Sequence, residues 1–205
     1  MLVDYFGYLG HPKMPELLNV RFTLRKTDLP GEHQPVFSDG TWRVYENPHA
    51  GERAWVVHQI EVDSSAARPS KRVNDANFDP RRVALLQQPP AEAIESASDS
   101  NESSIENIRN EPNSQAFRVQ TRGRGLLVVS EVFYPGWYAS VDGRPAPIYR
   151  VDGILRGVVV PDGASTVTFE YRPISVRVGA AFSLVALLGT AILGFVHTRA
   201  KGREP

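Results

Sequence analysis

The amino-acid sequence predicts a mainly β protein: an extracytoplasmic antiparallel β-sandwich followed by one C-terminal transmembrane helix. Three observations carry this expectation. From Val178 to Val196 no side chain is charged, a length that at about 1.5 Å per residue crosses the roughly 30 Å hydrocarbon layer of a bilayer. Asp-Gly pairs recur at Asp142-Gly143, Asp152-Gly153 and Asp162-Gly163, ten residues apart and flanked by β-prone residues, the pattern of tight turns between strands. Leu126 to Phe133 is apolar on both faces, so that strand needs cover on each side, which takes two layers.

Residues 1–87 form an N-terminal β-rich part, with strand candidates at Leu18 to Leu24, Trp42 to Glu46 after Asp39-Gly40, and Ala54 to Val62. Asp79-Pro80-Arg81-Arg82 either starts a short helix, with aspartate capping and proline in the first turn, or bends the chain before a strand at Val83 to Leu86. Residues 88–114 are rich in proline, serine, asparagine and acidic side chains. Such a composition buries too little apolar surface to offset its ordering entropy, so a flexible linker or loop is expected there.

Residues 115–173 read as a β-meander that completes the sandwich. Phe117 to Thr121 alternates, Gly123-Arg124-Gly125 turns it into the apolar run, and further strands follow at Trp137 to Val141, Pro147 to Val151, Ile154 to Val160 and Ser165 to Arg172. In the last of these Val167, Phe169 and Tyr171 alternate with Thr168, Glu170 and Arg172, the period of two of a strand with one buried face.

The transmembrane helix at 178–196 is followed by a basic tail, 197–205, carrying Arg199, Lys201 and Arg203 against Glu204; only Arg172 and Arg177 lie close before it. The positive-inside rule then places the tail in the cytoplasm and the domain outside. Met1 to Gly7 shows neither the basic nor the apolar region of a signal peptide, so an outside domain needs a preceding segment to put it there. The alternative is a tail anchor with the domain in the cytoplasm. Gly179, Ser183, Ala186, Thr190 and Gly194 line one helix face with small residues, a surface on which another transmembrane helix can pack closely.

Lysine plus arginine equals aspartate plus glutamate, at 23 each, so no basic surface points to nucleic acid. The absence of cysteine removes disulfides, thiolate nucleophiles and zinc-thiolate sites together. His11, His33, His49, His58 and His197 lack metal-ligand spacing, and no nucleophile elbow, Walker loop or dinucleotide fingerprint occurs. No metal and no cofactor are expected. The lipid bilayer is the expected partner, with an envelope glycan or other transmembrane helices beside it.

Candidate functional side chains cluster near one motif. Glu131 shares a face with Val129 and Phe133 in an apolar strand, which makes it the candidate buried carboxylate; pairing with Arg150 or Arg156 is favoured over an acid-base role, because structural ion pairs also perturb carboxylates. Asp142 and Asp152 read as turn residues that tolerate hairpin backbone. Tyr134, Trp137 and Tyr138, around Pro135-Gly136, are the candidate glycan contacts, since aromatic rings combine apolar area with a polar handle; core packing of Trp137 is the favoured alternative.

Ser130-Glu131-Val132-Phe133-Tyr134-Pro135-Gly136-Trp137, Val141-Asp142-Gly143-Arg144-Pro145, Tyr149-Arg150-Val151 and Phe169-Glu170-Tyr171-Arg172-Pro173 before a membrane helix resemble the C-terminal region of the YfhO family. Leu17 to Phe22, Val44 to Pro48 with Arg53-Ala54-Trp55, and Phe78 to Arg82 fit the same resemblance. It implies a bacterial polytopic membrane protein, similar to lipid-linked-sugar glycosyltransferases that decorate the cell envelope, with an extracytoplasmic C-terminal domain. The acidic catalytic residues of such transferases belong to early loops between N-terminal membrane helices, so none maps onto this chain. The resemblance thus implies a truncated member: a non-catalytic accessory domain at the bacterial cytoplasmic membrane. A membrane-anchored carbohydrate-binding sandwich and a purely structural or assembly domain are the alternatives.

Overall fold

The computed structural model describes residues 14–28, 34–48, 50–64, 72, 73, 75, 77–95 and 103–201, with backbone alone for Met14 and 194–201. A short helix α1 (Met14–Leu17) leads into β1 (Phe22–Arg25), β2 (Phe37–Ser38) and β3 (Arg43–Glu46), which form a small sheet in the order β1-β3-β2. Next come β4 (Ala54–Val57), β5 (Gln59–Val62), β6 (Val83–Leu86), β7 (Ser104–Glu111), β8 (Ser114–Thr121) and β9 (Gly125–Val132). Strands β10 (Trp137–Val141), β11 (Arg144–Ala146), β12 (Tyr149–Val151), β13 (Leu155–Val160) and β14 (Gly163–Tyr171) precede the long helix α2 (Ile174–Lys201).

Two larger sheets make the sandwich, one five-stranded in the order β11-β10-β14-β8-β7 and one six-stranded in the order β4-β9-β13-β12-β6-β5. Their facing side chains interdigitate. Ala54, Val56, Leu127, Val129, Val158 and Val160 from one sheet meet Phe117, Val119, Ala139, Val167 and Phe169 from the other, and Phe117 and Phe169 pack edge to face at 6.3 Å. The predicted mainly β sandwich with one C-terminal apolar helix is therefore present.

The six-stranded sheet also curls. Its edge strands β4 and β5 are consecutive in the chain, separated by His58 alone, so one bent segment supplies both edges. The single strand expected over Ala54 to Val62 is split for this reason. His58 holds the bend, its Nε2 3.2 Å from Thr121 Oγ1 and its Nδ1 3.3 Å from the Glu95 carbonyl. The curl encloses a second core in which Trp55, Leu86, Leu126, Val128 and Leu155 are joined by Leu17, Val73 and Phe78. This double cover is why Leu126 to Val129 are fully buried on both faces.

Three expectations are corrected. The sheets are antiparallel except for β5 and β6, which pair in parallel; a parallel pair needs a crossover connection, here residues 63–82, whose Val73 and Phe78 fill the curled core. The meander is two hairpins in opposite sheets: β10-β11 belongs to the five-stranded sheet and β12-β13 to the six-stranded one. Pro147 and Pro161 lie at the two crossings, where a residue without an N–H cannot continue a ladder. Finally, the loop expected over 88–114 holds β7 at its end, because Ser104 to Glu111 pairs along β8 as an exposed polar edge strand. Residues 96–102 of that segment, and 202–205 of the tail, lie outside the described residues.

The turn chemistry is as expected at two positions. Asp142 and Gly143 have φ of 50° and 76°, and Asp152 and Gly153 have 51° and 77°, the doubly left-handed backbone of type I′ hairpins. Asp79-Pro80-Arg81-Arg82 is a bend before β6, with the Arg81 N–H donating to Asp79 Oδ1 at 2.9 Å. Ile174–Leu193 is long and apolar enough to cross a bilayer, and none of the described residues covers it.

Candidate functional site

The end of the sandwich from which α2 leaves gathers most of the chemistry. Strand β9 is bulged there: Arg156 of β13 lies opposite Val129 and Leu155 opposite Val132, so Ser130 and Glu131 have no counterpart. A bulge re-aims side chains next to it. The Ser130 hydroxyl donates to the Leu17 carbonyl at 2.8 Å and the Ser130 N–H to the Arg53 carbonyl at 2.8 Å, which staples α1 and the start of β4 to the bulge.

Glu131 turns outward to an ion pair with Arg53 and accepts a second hydrogen bond from Gln115 Nε2 at 3.2 Å. The Gln115 carbonyl oxygen in turn accepts from Arg156 Nη2. Gln115 belongs to β8 and Arg156 to β13, so this chain of bonds ties the two sheets together. Arg156 is 1% exposed; its guanidinium lies 3.9 Å from the centre of the Trp137 ring and 5.0 Å from that of Phe169, a desolvated cation between aromatic faces. Burial pushes it down to about 10, with Glu131 opposing and Arg53 reinforcing the shift. It is a cation at neutral pH. Beside the pair a pocket of about 250 Å³ is lined by Leu18, Asn19, Arg53, Ser130, Glu131 and Val132.

The expected buried carboxylate is displaced to another residue. The Glu131 side chain keeps 33% of its exposure because the bulge rotates it toward Arg53 and not toward Arg150 or Arg156. Among the described residues Asp152 is the carboxylate that is fully buried. Its Oδ1 accepts the Leu85 N–H at 2.9 Å, and its Oδ2 has no partner. Desolvation raises its carboxyl to about 7, against a smaller lowering by the Leu85 hydrogen bond.

Trp137 faces inward with Ala139 and closes over Arg156, while Tyr138 faces the opposite side of β10 and is 52% exposed. Tyr138 looks out from the uncovered face of the five-stranded sheet, opposite Glu170 and beside the hydrogen-bonded Ser140 and Thr168. Tyr134 is 50% exposed, its ring 6.4 Å from that of Tyr171, which is 5.3 Å from Trp137. Along α2, Gly179, Ser183, Ala186 and Thr190 are exposed; Thr190 returns its hydroxyl to the Ala186 and Leu187 carbonyls, and Gly194 lies where only backbone is described.

Gln115 was missed, and Arg156 was read only as a partner for Glu131, although each carries a signal: Gln115 falls in step with Phe117 and Val119, and Arg156 with Val158 and Val160, on faces that are otherwise apolar. Among the described residues no group of histidines and carboxylates is placed to hold a metal ion.

The family model described as bacterial membrane protein YfhO matches residues 74–183, more than half of the chain. The chain belongs to the YfhO family. No curated protein and no solved structure matches it. The family region begins in the crossover before β6 and ends in the first turns of α2, so it takes in Asp152, Arg156, the bulge and the Tyr134 to Tyr138 segment. Arg53, which completes the ion pair, lies outside it.

Proposed function

We propose that this YfhO-family chain is a non-catalytic, extracytoplasmic accessory region of a membrane protein that acts in cell-envelope glycosylation. Its sandwich holds an acceptor glycan while membrane-embedded parts of the system transfer the sugar. The observation that carries this reading is the family match across the sandwich and the root of the helix. The carboxylates fit a scaffold: Glu131 is engaged by Arg53 and Gln115, Asp142 accepts the Thr166 N–H at 2.7 Å, and Asp152 is sealed behind Leu85. Acid-base transfer chemistry needs two carboxyl groups facing one cleft. Arg199, Lys201 and Arg203 support the tail-inside orientation.

The glycan surface in this reading is the uncovered face of the five-stranded sheet, with Tyr138 as the stacking ring and Ser140, Thr168 and Glu170 as hydrogen-bonding groups; Trp137 backs the strand from within. Calorimetric titration of the full chain in nanodiscs with envelope polysaccharide fragments tests it. Saturable binding that Tyr138→Ala abolishes with the fold intact is the expected result. Absence of binding by the parent chain overturns it. A second reading, assembly through the stripe Gly179, Ser183, Ala186, Thr190 and Gly194, draws on the fact that none of the described residues covers Ile174–Leu193; Ser183→Leu is then expected to abolish helix cross-linking in the membrane.

A further inference from the structure

We propose that the Tyr134-Pro135-Gly136 loop together with Tyr171 forms a second membrane contact: an aromatic ledge at the root of α2 that rests in the lipid headgroup layer. It sets how the sandwich sits on the bilayer.

The loop is fastened to the last residues before the helix. The Arg172 N–H donates to the Gly136 carbonyl at 2.8 Å. Gly136 has φ +103°, and a Cβ there would come within 2.9 Å of the Tyr171 ring and 3.4 Å of Pro173 Cα. Only glycine permits so close an approach with that backbone. Wherever α2 points, this loop travels with its first turn, because Pro173 immediately precedes Ile174.

Depth follows from the helix rise. Arg177 is the last charged residue before the apolar run that begins at Val178. Val178 lies five positions beyond Pro173, about 7.5 Å along the axis. The interfacial layer on each side of the hydrocarbon core is roughly 5–8 Å thick. The loop that touches Pro173 is thus held at headgroup depth. Half-exposed Tyr134, its ring against Tyr171, presents an apolar body with a polar tip, the side chain enriched at that level of a membrane. Exposed Arg177 adds a cation for lipid phosphate at the same height. The ledge is continuous with the uncovered span of α2, so the occupant is the headgroup layer of the bilayer that holds the helix. A helix alone is a swivel. A second contact beside it leaves the sandwich one seated orientation, with its Asp142-Gly143 end pointing away from the membrane.

The chain has no cysteine, which permits nitroxide labelling at single introduced thiols in the full chain. Tyr134→Cys, Asn113→Cys and Asp142→Cys are compared in phosphatidylcholine-phosphatidylglycerol nanodiscs by collision with oxygen and with a water-soluble nickel chelate. Asn113 keeps the aromatic cluster whole and lies at its level, since its carbonyl accepts the Tyr171 N–H at 2.9 Å. Labels at 134 and 113 are expected to be several-fold less accessible to nickel than the label at 142, with oxygen access raised at 134. Equal nickel access at 134, 113 and 142 overturns the proposal. So does protection at 134 that appears only when envelope polysaccharide is added, which makes a glycan the occupant. If Tyr134→Cys loses the fold by circular dichroism, the label at 113 decides alone. No glycan is present in the primary comparison, so its result is independent of the accessory-domain reading.

Discussion

Asp152→Asn removes the ionisation of the one carboxyl that the described structure buries completely, and its effect on stability has a definite sign. The folded state raises Asp152 from 3.8 to about 7 by desolvation, so between those values the folded chain binds a proton that the unfolded chain has released. Stability therefore falls as pH rises through that window. At about 1.36 kcal/mol per unit, a shift of about three units costs up to about 4 kcal/mol by pH 7.5. Asparagine keeps the oxygen that accepts the Leu85 N–H, tolerates the left-handed backbone at φ 51°, and does not titrate. Urea unfolding of the full chain in nanodiscs, followed by tryptophan fluorescence from pH 4.5 to 8, checks this. The parent midpoint is expected to decline across the range while the variant's declines much less, leaving Asp152→Asn more stable above pH 7. Parallel pH profiles for the two chains refute the argument, since they mean that Asp152 is hydrated or paired in the folded state.

Other perturbations separate packing from charge. Arg156→Met replaces the buried guanidinium by an apolar chain of similar reach; it removes a desolvated cation but leaves the buried Gln115 carbonyl oxygen without its donor, and a net loss of no more than about 1–3 kcal/mol is expected by thermal melt. Trp137→Ala opens the roof over Arg156 and deletes a large ring packed against the sandwich core; a loss of about 3–5 kcal/mol in urea unfolding is expected. Gly157→Ala puts a methyl group 2.9 Å from the Leu127 carbonyl and 2.8 Å from Val151 Cγ2 inside the six-stranded sheet, and a loss of about 1–3 kcal/mol is expected by thermal melt. Asp142→Ala loses both the left-handed tolerance of the hairpin and the acceptor for the Thr166 N–H; about 1–2 kcal/mol is expected, read by the same melt.

Much of the sandwich was legible because its signals are local. Alternation over Val167, Phe169 and Tyr171 reads directly as one buried face, and β10 falls on the predicted residues. The double burial of Leu126 to Val129 follows from an apolar run that no single layer can cover. The partners of those strands were not legible. Three Asp-Gly pairs look alike in sequence, yet the first two close hairpins in different sheets and the third carries the chain back across the sandwich, Asp162 Oδ1 accepting the Gly123 N–H at 2.6 Å. The bend at His58 was hidden because Ala54 to Val62 is β-prone throughout, and only the closure of the sheet splits it. Strand β7 was hidden because an edge strand needs no apolar face when its neighbour supplies the ladder. At the site, Glu131 was located correctly in the strand but not in its pairing, since the bulge that turns it depends on β13, more than twenty residues away.

The two ends of the sandwich are finished in different ways, and the difference fits a domain seated on a membrane. At the end far from α2, carboxylates of the turns satisfy backbone N–H groups directly, Asp142 with Thr166 and Asp162 with Gly123, as suits charges that water surrounds. At the end next to α2, Glu131 is neutralised by Arg53, Arg156 is capped by Trp137, and the loop that follows the bulge offers Tyr134 beside Tyr171. Near a bilayer the dielectric falls, so an unpaired charge costs more there while a paired charge or an amphipathic ring does not. Covering Arg156 by Trp137 also couples the outside to the inside of β10, since Tyr138 is the next residue and faces the uncovered sheet. A ligand that stacks on Tyr138 therefore presses on the strand whose other face holds the buried cation, and its binding is expected to report in Trp137 fluorescence without touching that ring.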